Sequence, residues 1–394
     1  MKDIGIKYFY TSSKPLGGII KKVPEDFVVE EIDKHGKLWK VKYPFYSRIL
    51  DLIPRRRKEY LHLTLVKRNL DTIRAVQLIS KSLGISRKRI KFAGNKDKRA
   101  VTSQRISIFN VSIKEVRKVK VKGIKLKDFR YSSEETKIGD LWGNRFTVRI
   151  TDIPFEKEVI RERVEEFKRE IANGIANFFG IQRFGEKRTI NHLIGKRIIL
   201  GDFEGALKIL LSEVSEKESE RSREARTYLM ENWRDWKGAL RIFPKWLYIE
   251  RSVLDHLAKY PNDLIGALRK IPKGIRLIFV NAYQSYIFNL TLSELIRRGF
   301  RRNVKVPLVG YETKLEGEIG EIITEVLREE GVSLEDFIVR SMPEMSSKGS
   351  QRDYLFYPKD FRILKLKDHE IVIQFILRKS CYATVLLNEL MKNI

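Results

Sequence analysis

The stretch Lys91–Gln104, KFAGNKDKRAVTSQ, opens as an apolar strand lead and breaks into a glycine turn crowded with opposite charges. One carboxylate, Asp97, stands between Lys96 and Lys98, with Thr102 and Gln104 just downstream. Gly, Asn and Asp suit the positive-φ positions of tight turns, and charges favour water, so the turn taken alone reads as a solvated hairpin. Its flanks make it part of a larger pattern. RIKFAG before it and SQRISIF after it have strand character, as does YLHLTLVK from Tyr60. Between them DTIRAVQLISKSLG predicts a helix with Asp71 as N-cap and Gly84 at its end. Ile73, Val76, Ile79 and Leu83 are expected on its apolar face.

Continuing outward, DFVVEEI from Asp26 and LWGNRFTVRI ending at Ile150 also read as strands, making the first 150 residues mixed α/β. VSIKEVRKVKVKGIKLKDF, from Val111, places seven Lys or Arg among alternating Val and Ile. Two readings stay open for it: an exposed edge strand guarded by lysine, or a strand that contacts RNA. A long helix is predicted next, with Ile160, Val164, Phe167 and Ile171 in register. From about Ala176 the pattern becomes mostly helical, including NAYQSYIFNLTLSELIRRG. Ser333 with Asp336 fits a capping box. After Tyr357-Pro358 strand character returns (FRILKL, EIVIQFIL), and ATVLLNELMKN predicts a closing helix. Strand-rich ends around a helical middle suggest one domain inserted into another.

Composition narrows the function. The 394 residues carry 79 Lys+Arg against 51 Asp+Glu, a net charge of +28. Such an excess repels itself unless a polyanion uses it, and nucleic acid is the first candidate. Residues 312–336 hold nine acidic and two basic residues, so the positive charge is concentrated elsewhere. No run of about 18 apolar residues predicts a membrane span, and MKDIGIKYFYTSS lacks the apolar centre of a signal peptide. A cytoplasmic protein is the expectation. One cysteine, Cys381, excludes an internal disulfide, and the five histidines show no metal-ligand spacing. Charged residues at 33% suit a thermophile.

Two near-matches fail on chemistry. NKDK resembles the guanine-reading NKxD of GTPases, but Lys98 fills the fourth position. GIQRFGEK from Gly180 resembles a phosphate loop, but Glu186 stands where a lysine must meet phosphate. With no GxSxG and no cysteine–histidine framework, a carboxylate is the best remaining catalytic group.

FAGNKDKRAVTSQ resembles the catalytic motif of the TruD family of transfer-RNA pseudouridine synthases, A-G-x-K-D-x-x-A-x-T-x-Q. Ala93, Gly94, Lys96, Asp97, Ala100, Thr102 and Gln104 all match. Four further stretches are similar to the family's, in the same order. They are GGIIKKVPEDFVVEE from Gly17, GNRFTVRI from Gly143, NFFGIQRFG from Asn177 and SCYATVLLNEL from Ser380. The resemblance spans nearly the whole chain.

The resemblance implies isomerisation of uridine to pseudouridine in transfer RNA, at uridine 13 by family analogy. It implies no cofactor, no metal and no nucleotide. Asp97 would be the essential carboxylate, attacking C1′ or removing the C2′ proton; either role needs the ionised form. Lys21 is the matching cation. Because a base must leave its stack to be reached, Phe27, Asn144, Phe146 and Tyr382 are implied to hold the uracil by stacking and edge contacts. Tyr382 departs from the phenylalanine common there. Arg183 is expected at phosphate or bracing a loop, and Lys187 and Arg188 at phosphate. The implied architecture is α+β: residues 1–175 and 357–394 form a catalytic domain on a largely antiparallel mixed sheet, and 176–356 form an inserted, mostly helical domain, with a basic cleft between. The competing functions are a different RNA-processing carboxylate enzyme and a non-catalytic RNA-binding or ribosome-associated protein.

Overall fold

Leu61, Leu63 and Leu65 are fully buried on one face of strand β2 (Tyr60–Arg68), and His62, Thr64 and Val66 are buried on the other. The same logic builds β1 (Phe27–Asp33), β3 (Ile90–Phe92), β4 (Val101–Phe109), β5 (Ile124–Ser132), β6 (Leu141–Ile150), β7 (Lys359–Lys367) and β8 (Glu370–Arg378). Together they form one eight-stranded sheet in the order β7-β8-β6-β1-β4-β2-β5, with β3 also paired to β4. Every pairing is antiparallel except β1 with β4, whose residues 28–30 run parallel to 101–103. The expected α+β class and largely antiparallel mixed sheet are therefore present.

This computed structural model describes residues 1–42 and 56–393. Two compact units divide the chain, Thr11–Gly174 with Tyr357–Ile394, and Met1–Tyr10 with Ile175–Phe356.

In the sheet unit, helix α1 (Thr72–Leu83) begins where Asp71 accepts the Arg74 N–H at 2.8 Å and ends at Gly84, φ +64°. Its buried stripe is Thr72, Ala75, Val76 and Ile79, while Ile73 is 49% exposed. The expected face is thus rotated by one residue. Thr72 is drawn inward because its hydroxyl donates to Gln104 Oε1 at 3.0 Å.

The lysine-rich run from Val111 splits in two. Ser112 caps α2 (Ile113–Arg117) through a reciprocal box with Glu115, which overrides the alternating pattern. Only the second half becomes a strand, β5, at the edge of the sheet. Helix α3 (Lys157–Ile171) buries Ile160, Val164, Phe167 and Ile171, the four positions its periodicity named.

The other unit is mostly helical, and its longest helix is Lys273–Arg297. Asn289 on that helix is fully buried, donates to Ile4 O at 2.8 Å and brackets Phe179 through both its N–H and C=O. The first ten residues pack in this unit for that reason. Asp336 does close on the Ser333 N–H at 2.7 Å, but it starts a single 3₁₀ turn (Glu335–Phe337) and not a helix. Among the described residues, no helix is long and apolar enough to cross a membrane.

Candidate active site

The turn between β3 and β4 is held by side chains that point up from the sheet beneath it. Gln104 donates to Gly94 O at 2.9 Å, and the Lys96 N–H donates to Thr72 Oγ1 at 3.0 Å. Lys96 Nζ lies 2.6 Å from Glu31 Oε2, both side chains being buried, and the second Glu31 oxygen accepts the Arg105 N–H at 3.1 Å. A buried ion pair this well satisfied fixes geometry more than it adds stability. Lys67 completes the frame. Its ammonium donates to the carbonyls of Leu70 (2.6 Å), Lys96 (3.1 Å) and Asp97 (2.7 Å). Burial pushes this lysine down to about 8, against the opposing pull of Asp97 and Asp71. Every clamp on the turn uses backbone or a neighbouring side chain, leaving the Asp97 carboxylate outside the frame.

That carboxylate is 26% exposed and faces Lys21, with Nζ 3.9 Å from Oδ1. Lys21 sits in the left-handed region at φ +58°, a conformation that costs a non-glycine residue free energy and persists only where its surroundings dictate it. The surroundings are visible. Ile19 exchanges both backbone hydrogen bonds with Thr151, and Gly18, at φ +91°, lies against Ile150 and Ile153 where any side chain would collide. The Lys21 ammonium also lies 4.0 Å from the centroid of the Phe27 ring, a cation–π contact that holds it beside Asp97.

Register brings the remaining residues to the same face. Asn144 pairs with Glu31 and Leu377, and Phe146 with Val29 and Phe375. Residues directly opposite share a face of the sheet, so both project with Glu31 toward the Asp97 turn. Gly143 leaves room for this crossing, because a Cβ there would strike the Leu377 carbonyl. Asn144 Oδ1 is buried and, among the described residues, has no hydrogen-bond partner. Tyr382 is half-buried at the N-cap of α4 (Ala383–Met391), just beyond Leu377.

Phe27 is fully buried and Phe146 is 7% exposed. Phe146 meets Phe27 edge-on at 6.0 Å and stacks on Phe375 at 5.4 Å. Both rings belong to the core under the turn. Phe146→Ala is expected to destabilise the protein by ~3–5 kcal/mol, the cost of emptying a packed aromatic site. Thermal unfolding alongside single-turnover conversion measures this; an unchanged melting temperature with lost turnover would make Phe146 a stacking platform instead.

The three basic residues expected at phosphate lie in the helical unit. Lys187 is exposed. Arg183 lies with its guanidinium 5.1 Å from the Phe179 ring, its Nε buried and without a hydrogen-bond partner among the described residues. Arg188 has a different job from the one expected. It donates to the carbonyls of Leu210 (2.9 Å) and Glu213 (3.1 Å) and pairs with Glu218 and Glu250, tying helices together from inside. Burial, with Arg226 beside it, lowers it to about 10.

Sequence reasoning did not single out Lys67, Glu31 or Thr72. Lys67 had a signal, since it lies in phase with the inward-facing Leu61, Leu63 and Leu65.

The chain matches the family model for tRNA pseudouridine synthase D (TruD) over residues 3–306 and 298–390. It is 35% identical over 443 residues to a protein of Methanosarcina acetivorans named as a probable tRNA pseudouridine synthase D, spanning 99% of this chain and 96% of that one. A protein of Methanopyrus kandleri with the same name is 39% identical over 345 residues, 83% of this chain and 84% of the relative. The crystal structure of a Methanosarcina mazei protein assigned to tRNA pseudouridine synthase D superposes with a TM-score of 0.78 at 34% identity, covering 99% of this chain and 97% of that one. The family match over nearly the full length, joined to relatives and a fold of this closeness, places the protein in the TruD family of tRNA pseudouridine synthases.

Proposed function

We propose that the protein isomerises uridine 13 of transfer RNA to pseudouridine in the cytoplasm, with Asp97 as the reacting carboxylate. The observation that carries this is a partly exposed carboxylate on a fully braced turn, with the Lys21 ammonium 3.9 Å away. The reaction breaks N1–C1′, turns the uracil while it is held, and forms C5–C1′; the C5 proton leaves and N1 gains one, so nothing is oxidised or transferred away. The reaction needs the carboxylate form of Asp97 at the ribose, and the Lys21 ammonium stands 3.9 Å from its Oδ1. Lys21 is in turn seated on the Phe27 ring. Asn144 supplies an unsatisfied acceptor under the turn, and the imide N–H of a flipped uracil is a donor of the right kind for it. Phe27 and Phe146 pack in the core beneath the turn, and the half-buried Tyr382 is the ring left to meet the uracil. The test is to map pseudouridine in a tRNA transcript, and in the same transcript with cytidine at position 13, after incubation with the protein. Pseudouridine at 13 in the first and none in the second is expected. Modification elsewhere with position 13 untouched would overturn the site assignment.

A further inference from the structure

The lysine-rich turn between α2 and β5 has no part in the chemistry above. Residues 114–125 contain six Lys or Arg and one acid, Glu115, whose carboxylate is engaged by the N–H and hydroxyl of Ser112. Lys118, Lys120 and Lys122 are exposed, and among the described residues none of the three forms an ion pair. Lysines that protect a sheet edge belong on the strand whose unpaired groups they shield. These three precede β5, where there is no edge to protect. Their mutual repulsion is an uncompensated cost in the free protein.

The turn overhangs a groove of about 460 Å³ whose partly exposed apolar lining is Val119, Val121, Ile124 and Leu126, with Lys120 and Lys122 among its cations. Its position is also informative. Ile124 at the start of β5 lies opposite Lys67, and the Arg68 N–H donates to Gly123 O at 2.9 Å. Lys67 is the residue whose ammonium holds the Asp97 carbonyl. The groove therefore opens at the same end of the sheet as the candidate active site.

We propose that this groove is a second RNA-binding site, where backbone phosphates of the substrate lie along Lys118, Lys120 and Lys122 and a ribose or base face covers the apolar floor. The proposal rests on the reading of the protein as a tRNA isomerase, because one RNA would span both sites. A single-file row of phosphates matches lysines strung along a turn, whereas a flat anionic membrane leaves the groove unfilled.

The test compares wild-type protein with the triple variant Lys118→Gln/Lys120→Gln/Lys122→Gln and the charge-keeping triple Lys→Arg variant. Affinity for a tRNA transcript is titrated against salt, and conversion is followed at limiting and saturating tRNA. The glutamine variant is expected to bind about tenfold more weakly, and its log affinity to fall with log salt by about 2 to 3 less, from three contacts at ~0.7–0.9 each. KM should rise while kcat stays within about twofold, and the arginine variant should restore both. Unchanged affinity and salt slope in the glutamine variant would overturn the proposal. So would loss of binding to phosphatidylserine vesicles with tRNA affinity intact. The salt slope is read without turnover, so a wild-type protein that made no pseudouridine would defeat the activity reading and leave this comparison standing. The three side chains lie outside helix and strand, and a thermal melt checks that the variants remain folded.

Discussion

Asp97→Asn is expected to lower single-turnover conversion of uridine by roughly 10⁴-fold or more, because an amide neither attacks C1′ nor removes the C2′ proton. Folding and tRNA affinity should survive. The hydrogen bonds that shape the turn come from Lys67, Gln104, Thr72 and Glu31, and they engage the backbone or Lys96, not the Asp97 carboxylate. Among the described residues that carboxylate has one ion pair, the partly exposed contact with Lys21, so its loss removes little stability. Pseudouridine mapping, a thermal melt and tRNA binding on the same preparation separate the outcomes. Substantial activity in the variant would move the chemistry to another group and revive the non-catalytic reading of this turn.

Lys67→Met should cost about 100-fold in turnover by a different route. Three buried carbonyls lose their donor, at ~1–3 kcal/mol for each one left unsatisfied, partly offset because a cation no longer has to be buried. A lower melting temperature is expected with it. The wild-type pH profile carries a matching signature. Lys67 titrates at about 8 in the folded protein and near 10.4 when unfolded. Between those values the unfolded chain holds the extra proton, so this group makes stability rise with pH. Over the same range the neutral amine keeps two N–H donors for three carbonyls, and the positive charge behind the Asp97 carbonyl disappears. Turnover should therefore fall as pH climbs through about 8 while this contribution to stability grows. An alkaline decline that persists unchanged in a Lys67→Met protein of normal turnover would remove Lys67 from the mechanism.

The elements with strong local patterns were legible. The four apolar positions of α3 followed from helical period alone, and Asp71 and Gly84 bounded α1 as capping chemistry predicts. Failures came where one tertiary contact outweighed a local preference. Ile73 is exposed because Thr72 is pulled toward Gln104, and Arg188 serves carbonyls that no spacing rule could link to it. At the site, the motif drew attention to Lys96 and Gln104 without saying that they brace the turn. The backbone of Lys21, at φ +58°, was beyond sequence reasoning, since the segment leading to it is pinned at Ile19 by Thr151, about 130 residues along the chain. Lys67 could have been found, because a lysine repeating the phase of three buried leucines must be buried and therefore paired.

The pairing of β6 with β8 also sets a clock. Ile150 lies opposite Ile371, and 220 residues separate them. At ~5–20 residues per second, a ribosome needs roughly 10–45 s to deliver the partner strand after β6 has emerged. The wait continues through α4, because Gly17, just ahead of Lys21, donates to the Met391 carbonyl at 2.9 Å and Glu389 accepts from the Thr11 N–H and hydroxyl. For that interval the growing chain carries an open strand edge in need of cover, and the segment leading to Lys21 is held by Thr151 but not yet by Met391. Residues 175–356 emerge in the meantime and are contiguous enough to condense first. Closure of the sheet therefore waits for the last strands of the chain, while residues 175–356 can condense before it.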